Sequence, residues 1–409
     1  MSAHVALPTE AESTFPAAHS WRKFGPIGLV LGVVLVAAAF GLDKSDHRGD
    51  FYFSYLVAWM FVVTLGLGAM FFTLIQHAGR AGWSVVVRRT AENMMGTLPI
   101  LALFFIPVFL GRHELYHHWM DAKVVAEDAI IKGKSAYLNE WFWAARAVFY
   151  VGTWAFIGWY FRNRSVKQDT MAGDAAALEE FSRGTERRSA VALPLFALTI
   201  TFAGVDWIMS MDPHWYSTMW GVYLFAGAFM SALAFLGLIH ILMQRAGLMG
   251  RIVNDEHYHD LGKLTFAFTV FWTYIAFSQY FLIWYANIPE ETSWYAHRMG
   301  NSWEYIGITL MLGHFVLPFF FLMPRTIKRI RWTLALGCTW MLVMHYIDLQ
   351  YMIMPVHAHH GVHPGLTDLL TWVGLFAVFF GAFILNAGRA ALVPMKDPRL
   401  QESVSFVNI

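Results

Sequence analysis

The chain has 409 residues, of which 57% are hydrophobic and only 14% charged, with a formal net charge of +1. An average soluble domain carries roughly 25% charged residues; a chain this apolar cannot cover a water-soluble surface, so the composition excludes a soluble protein and leaves a polytopic membrane protein. The near-zero charge excludes a global electrostatic partner such as nucleic acid. The single cysteine, Cys338, excludes a disulfide framework, an iron–sulfur cluster and covalently attached haem on this chain.

A spanning helix needs about 20 mostly apolar residues. In chain order ten segments qualify: 26–42, 51–75, 91–111, 140–161, 189–211, 216–244, 261–287, 301–323, 331–353 and 366–387. Runs such as Leu29 to Phe40 do not alternate as β-barrel strands do. The expected fold class is therefore all-α and polytopic, with about ten transmembrane helices. Residues 1–20 are polar and mixed in charge, and the first apolar run follows Trp21-Arg22-Lys23, so no cleavable secretory signal is expected. The N-terminus, the loops near 76–90, 162–188, 245–263 and 324–331, and the C-terminal tail together hold 21 of the 29 Lys and Arg; the opposite loops hold 7, and Arg146 lies inside a span. That asymmetry places both termini in the cytoplasm.

The outer side is rich in histidine instead, with 10 of the 18. Two clusters stand out: His113-Glu114-Leu115-Tyr116-His117-His118-Trp119, and His357-Ala358-His359-His360-Gly361-Val362-His363. Histidines at helical spacing can share a metal, but no cysteine or defined carboxylate set accompanies them, so no metal site is expected. The surface reading makes His113, His117, His118, Trp119, His357, His359 and His360 candidates for docking a partner.

Three matches recur in the same order. Arg80-Ala81-Gly82 pairs with Arg245-Ala246-Gly247, Asn139-x-Trp141 with Asn301-x-Trp303, and Asp206, seven before Pro213, with Asp348, seven before Pro355. They suggest two parallel-related four-helix bundles with flanking helices. The expected organisation is a cytoplasmic segment 1–25, a first flanking helix and outer loop 26–50, bundles at 51–213 and 214–355, and an outer loop, last helix and cytoplasmic tail at 356–409.

At this point the chain resembles the NrfD/polysulfide-reductase membrane subunits, and more closely the ActF-type subunit of bacterial alternative complex III. The stretches that carry the resemblance are Phe51-Tyr52-Phe53-Ser54-Tyr55-Leu56, Ala91-Glu92-Asn93-Met94-Met95-Gly96, the first histidine cluster, and Val205-Asp206-Trp207-Ile208-Met209-Ser210-Met211. The resemblance covers residues 20–390. It implies a subunit of a quinol:electron-acceptor (cytochrome c) oxidoreductase in the bacterial inner membrane. This chain would hold no redox centre, with haem c, iron–sulfur clusters and quinol in or with partner subunits. Those partners would be an iron–sulfur subunit, cytochrome c subunits and a related ten-helix quinol-binding subunit.

Ionisable groups inside spans are costly, by about 2.5–3.5 kcal/mol at mid-membrane, and so mark candidate sites. Arg146 and Asp206 lie at similar depth on consecutive spans, where an ion pair would form. Asp348 has no matching arginine, since Ile308 stands at that place in the repeat; His345 lies three residues before it on the same face and His314 near the middle of the eighth span. A His/Asp set without a fixed cation can change protonation, as a proton relay requires, whereas a hydrogen-bonded core network is the structural alternative. His314 and His345 are also the one pair that could in principle ligate a haem. On the cytoplasmic side Glu92 and His240 are candidate entrances. A polar stripe in the seventh span, Thr265, Thr269, Thr273 and Tyr280, could relay protons or bond neighbouring helices. No catalytic residue is expected. The readings that compete with a respiratory subunit are a secondary transporter and a structural anchor.

Overall fold

The computed structural model describes residues 6–359 and 361–408, and these form helices and no strands. Eight helices among them are long and apolar enough to cross a membrane: Ser20–Leu42, Asp46–Ala78, Val85–Leu110, Ala175–Met211, Trp220–Arg245, Asp255–Ala286, Trp303–Leu322 and Leu366–Ala387. The chain is a multi-pass membrane protein.

The main helical elements run in order as α1 (Phe24–Leu42), α2 (Gly49–Ala78), α3 (Val85–Met95), α4 (Leu98–Leu103), α5 (Ile106–Leu110), α6 (Glu140–Thr170) and α7 (Ala175–Trp207). They continue as α8 (Trp220–Arg245), α9 (Asp255–Ala286), α10 (Trp303–Thr309), α11 (Leu317–Leu322), α12 (Arg331–Ile353) and α13 (Leu366–Ala387). Of the ten segments expected from sequence, 140–161 and 331–353 fall outside the eight. They coincide with α6 and α12, whose 31 and 23 residues are long enough. These two are more polar because they carry Arg146, and His345 with Asp348, among many Trp and Tyr.

Three local features depart from the sequence expectation. The loop expected at 162–188 is mostly helix, because α6 runs to Thr170 and α7 starts at Ala175, capped by Asp174 accepting from the Ala177 N–H at 2.9 Å. The third span is broken into α3, α4 and α5, with Pro99 and Pro107 in the first two positions of the latter two pieces. The segment expected as the eighth span, 301–323, contains a π-helical turn, Leu310–Val316, between α10 and α11. Pro318 has no N–H to give the carbonyl of residue 314, so the regular ladder cannot be completed there.

At the centre, α2 packs on α8, and both also contact α7 and α12. A Cβ on Gly68 would lie 2.1 Å from the Ala228 carbonyl oxygen, so only glycine lets these two backbones approach. On the flank α1 pairs with α13, where a Cβ on Gly28 or Gly32 would meet the Ala377 or Gly374 carbonyl at 2.6 or 2.5 Å. Similar turns end α2 and α8: the N–H groups of Gly79 and Ala81 bond the carbonyls of Ile75 and Gln76, and those of Ala246 and Leu248 bond Leu242 and Met243. This equivalence sits two residues out of step with the Arg-Ala-Gly strings. The described N- and C-terminal segments lie on one face, where the His19 ring bonds the Ala246 carbonyl at 2.9 Å and Gln168 bonds the Lys396 carbonyl at 3.3 Å.

Candidate functional site: two buried aspartate centres

Asp206, one residue before the end of α7, is fully buried. Arg146 on α6 meets it with two bonds, Nε to Oδ2 at 2.7 Å and Nη2 to Oδ1 at 3.0 Å, and Tyr150, one turn on, donates to Oδ2 at 2.9 Å. The guanidinium also lies 3.9 Å from the Tyr137 ring centroid and 4.2 Å from that of Phe142. Two parallel N–H donors on one carboxylate fix both charge and orientation. The ion pair expected from equal depth is present.

Asp348 on α12 is equally buried and has different company. The Tyr223 hydroxyl on α8 donates to Oδ1 at 2.5 Å and the Trp272 indole on α9 donates to Oδ2 at 3.1 Å. No cation lies within ion-pair distance among the described residues. A hydroxyl can turn from donor to acceptor, so this pocket accommodates either a carboxylate or a carboxylic acid. The Trp272 ring in turn stacks on His314, with centroids 3.7 Å apart. His314 sits in the π-helical turn and places Nε2 3.3 Å from the Met230 sulfur. His345 places Nε2 2.9 Å from the Thr64 hydroxyl, whose own proton goes to the Phe61 carbonyl. Each ring therefore donates from Nε2. Nδ1 of both is buried with no hydrogen-bond partner among the described residues, leaving a lone pair able to take a proton. The two Nε2 atoms face Met230 and Thr64 rather than a shared axis, which is not the arrangement of a bis-histidine haem site.

The residues expected to lead to these centres from the terminal-bearing face are engaged elsewhere. Glu92 is fully buried and held by Arg88 at 3.3 Å and Arg89 at 2.9 Å, with the His77 ring 3.8 Å away. His240 donates from Nδ1 to the Leu236 carbonyl at 2.7 Å and accepts from Thr90 at 3.0 Å, the pattern of a satisfied neutral ring. The stripe on α9 is likewise self-contained, since Thr265, Thr269 and Thr273 each donate to the carbonyl four residues earlier.

Above the centres, on the face away from the described terminal segments, the loops fold inward. Trp119, expected to meet a partner, is 3% exposed, and its indole donates to the Ser210 carbonyl at 3.0 Å. Its ring is spent on closing the end of α7 and is not offered outward. His357 bonds Asp50 at 2.7 Å and stacks on Phe53. His113 lies 3.6 Å from Glu140 with its side chain 57% exposed, and His117 packs its ring against His118. The Asn301 side chain donates to the His359 carbonyl. His360 lies outside the described residues. Among the described residues no group of three or more His, Cys, Asp or Glu side chains is placed to hold a metal ion.

Sequence reasoning missed Tyr223, Trp272 and Arg298. Arg298 is 1% exposed and donates to the carbonyls of Trp294, Tyr351 and Met352 at 2.8–3.1 Å. Burial pushes its guanidinium down to about 10. The available signal was its isolation, as the one Lys or Arg in the loop 288–302. Comparison with family models and with curated proteins finds no match for this chain.

Proposed function

We propose that this chain is a non-redox integral subunit of a quinol:electron-acceptor oxidoreductase, which anchors outer-face redox subunits and conducts protons coupled to quinol oxidation. On this reading α6 and α12 also span the membrane, giving ten spans in two four-helix bundles with flanking helices. The termini are cytoplasmic, the membrane is the bacterial inner membrane, and iron–sulfur, cytochrome c and quinol-binding subunits dock nearby. The supporting observation is the Asp348 centre: a buried carboxyl held only by neutral donors, joined through Trp272 to His314 and beside His345, with two ring nitrogens uncommitted. A proton path needs groups that can gain and lose a proton, and these can. Replacing Asp348→Asn should leave assembly and electron transfer intact and lower proton translocation in sealed vesicles. An unchanged proton-to-electron ratio in an assembled variant refutes the path.

A second reading, a secondary transporter, is favoured by the interruptions inside the third and eighth spans, because transporter sites use broken helices. Copurification separates the two. Haem-containing partners that stay with the chain through mild solubilisation support the respiratory subunit; a chain isolated alone, with Asp348-dependent solute uptake in vesicles, supports the transporter.

A further inference from the structure

The helices α6 and α7 are longer than a bilayer requires. Their 31 and 33 residues extend roughly 46 and 50 Å, against about 30 Å of hydrocarbon. The excess projects from the face that carries the described N- and C-terminal segments. Between the two helices, where they leave the apolar zone, lies an open groove of about 1030 Å3. One side of it is apolar and exposed, with Phe156, Val191 and Leu195, and its polar side carries Arg164, Arg188, Arg187 and Glu180.

Those two arginines are held together without an acid. A Cβ on Gly184 would lie 2.9 Å from a terminal nitrogen of each, so the glycine lets both guanidiniums converge over one backbone position. Arg164 donates to the Thr185 hydroxyl at 2.7 Å and the Phe181 carbonyl at 2.9 Å, and Arg188 to the Gly184 carbonyl at 2.7 Å. The neighbouring acids are already occupied: Glu179 pairs with Arg183, Glu180 with Arg187 and Glu186 with Arg80. Burial and the Arg188 charge hold Arg164 below the usual arginine range, as expected of two cations that repel each other without a counter-ion. Each guanidinium has five N–H donors, so several remain free.

We infer that this groove binds one anionic phospholipid, its phosphodiester between Arg164 and Arg188 and an acyl chain along Phe156, Val191 and Leu195. A phosphate accepts from two forked donors at once, and basic pockets between helices at the inner membrane surface suit anionic head groups. The apolar wall distinguishes a lipid from a free anion, because an inorganic ion leaves that wall uncovered. The site is independent of the aspartate centres.

The test is native mass spectrometry of the full chain in mild detergent, delipidated and then offered phosphatidylglycerol or phosphatidylcholine. The wild-type chain should retain one phosphatidylglycerol in preference to phosphatidylcholine. Arg164→Gln with Arg188→Gln should weaken that retention about tenfold or more, the loss expected for charge-assisted bonds. Val191→Trp keeps both guanidiniums and fills the apolar wall; it should weaken retention as well, and it decides the matter if the double variant does not fold. Inorganic phosphate should not displace the lipid. Equal retention of both lipids, equal retention by wild type and Val191→Trp, or displacement by phosphate alone overturns the proposal. Crosslinking that places a protein segment in the groove of the intact assembly also overturns it.

Discussion

The two aspartate centres use the same kinds of side chain with their places exchanged. At Asp206 a cation meets the carboxylate, while neutral groups close the end of its helix: Tyr116 donates to the Trp207 carbonyl at 3.1 Å and Trp119 to that of Ser210 at 3.0 Å. At Asp348 neutral groups, Tyr223 and Trp272, meet the carboxyl, while a cation, Arg298, closes the helix end on Tyr351 and Met352. A guanidinium on terminal carbonyls is well placed against the negative end of a helix. One centre is therefore charge-locked and the other is left free to change protonation. This exchange, rather than the presence of a buried aspartate, gives the two centres different capacities.

The comparison breaks most sharply at Arg146. Replacing Arg146→Met leaves the fully buried Asp206 with Tyr150 alone, and removing one partner of a buried pair costs about 3–5 kcal/mol. Thermal unfolding of the purified chain in detergent should show this as a large drop. The double variant Arg146→Met, Asp206→Leu should recover most of the loss, since no charge is then stranded. A single variant as stable as the double one would mean that the pair does not hold α6 to α7.

Arg298→Met should have a smaller effect, about 1–3 kcal/mol, because carbonyls rather than a charge lose their donor. The same unfolding measurement checks it. A loss as large as that of Arg146→Met would show that Arg298 neutralises a carboxylate and would undo the contrast.

Asp348→Asn should cost less again, about 1 kcal/mol or under, because the amide oxygen still accepts from a neutral donor and no cation is stranded. Asp206→Asn, which removes the charge opposite Arg146, should be clearly worse. If the two Asn variants unfold alike, the centres are equivalent and the proposed division of labour fails.

Much of this layout was legible beforehand, and what was not has identifiable causes. Span positions follow from apolar runs, which the bilayer makes unusually informative. The Arg146–Asp206 pair followed from counting residues inward from two boundaries, a calculation that works for regular helices. It could not reach Tyr223 or Trp272, because uncharged donors inside spans look like ordinary apolar or interfacial residues. Arg298 stayed hidden because its isolation in the loop, the one signal it gave, does not say that the loop folds inward. Glu92 suggested an open entrance only while the two arginines three and four residues before it were treated as loop charges; a helix starting at Val85 turns both back onto the carboxylate. The helical extension of α6 and α7 into 162–188 was missed because polar residues there satisfy a loop pattern and a solvated helix equally well.

The smallest expected effect concerns the two loop caps over the aspartate centres. Beside Trp119 in the first cap sits His118, whose ring burial, and then the neighbouring His117, hold down to about 4 from 6.5; Asp212, His214 and His359 also surround it. The second cap relies on Arg298, which keeps its proton up to about 10. Between pH 6.5 and pH 4 the unfolded chain protonates residue 118 while the folded chain does not. Stability that depends on a neutral His118 is thus complete above pH 6.5 and declines as the pH falls toward 4. The first cap should loosen on acidification while the second does not. Hydrogen exchange of peptides covering 112–139 and 287–302, followed at neutral pH and at pH 4 and corrected for intrinsic rates, reads the two caps separately. Protection should fall in the first segment only, and His118→Gln should remove much of that fall. If the variant loses protection as steeply as the wild type, His118 does not govern the acid response of the first cap.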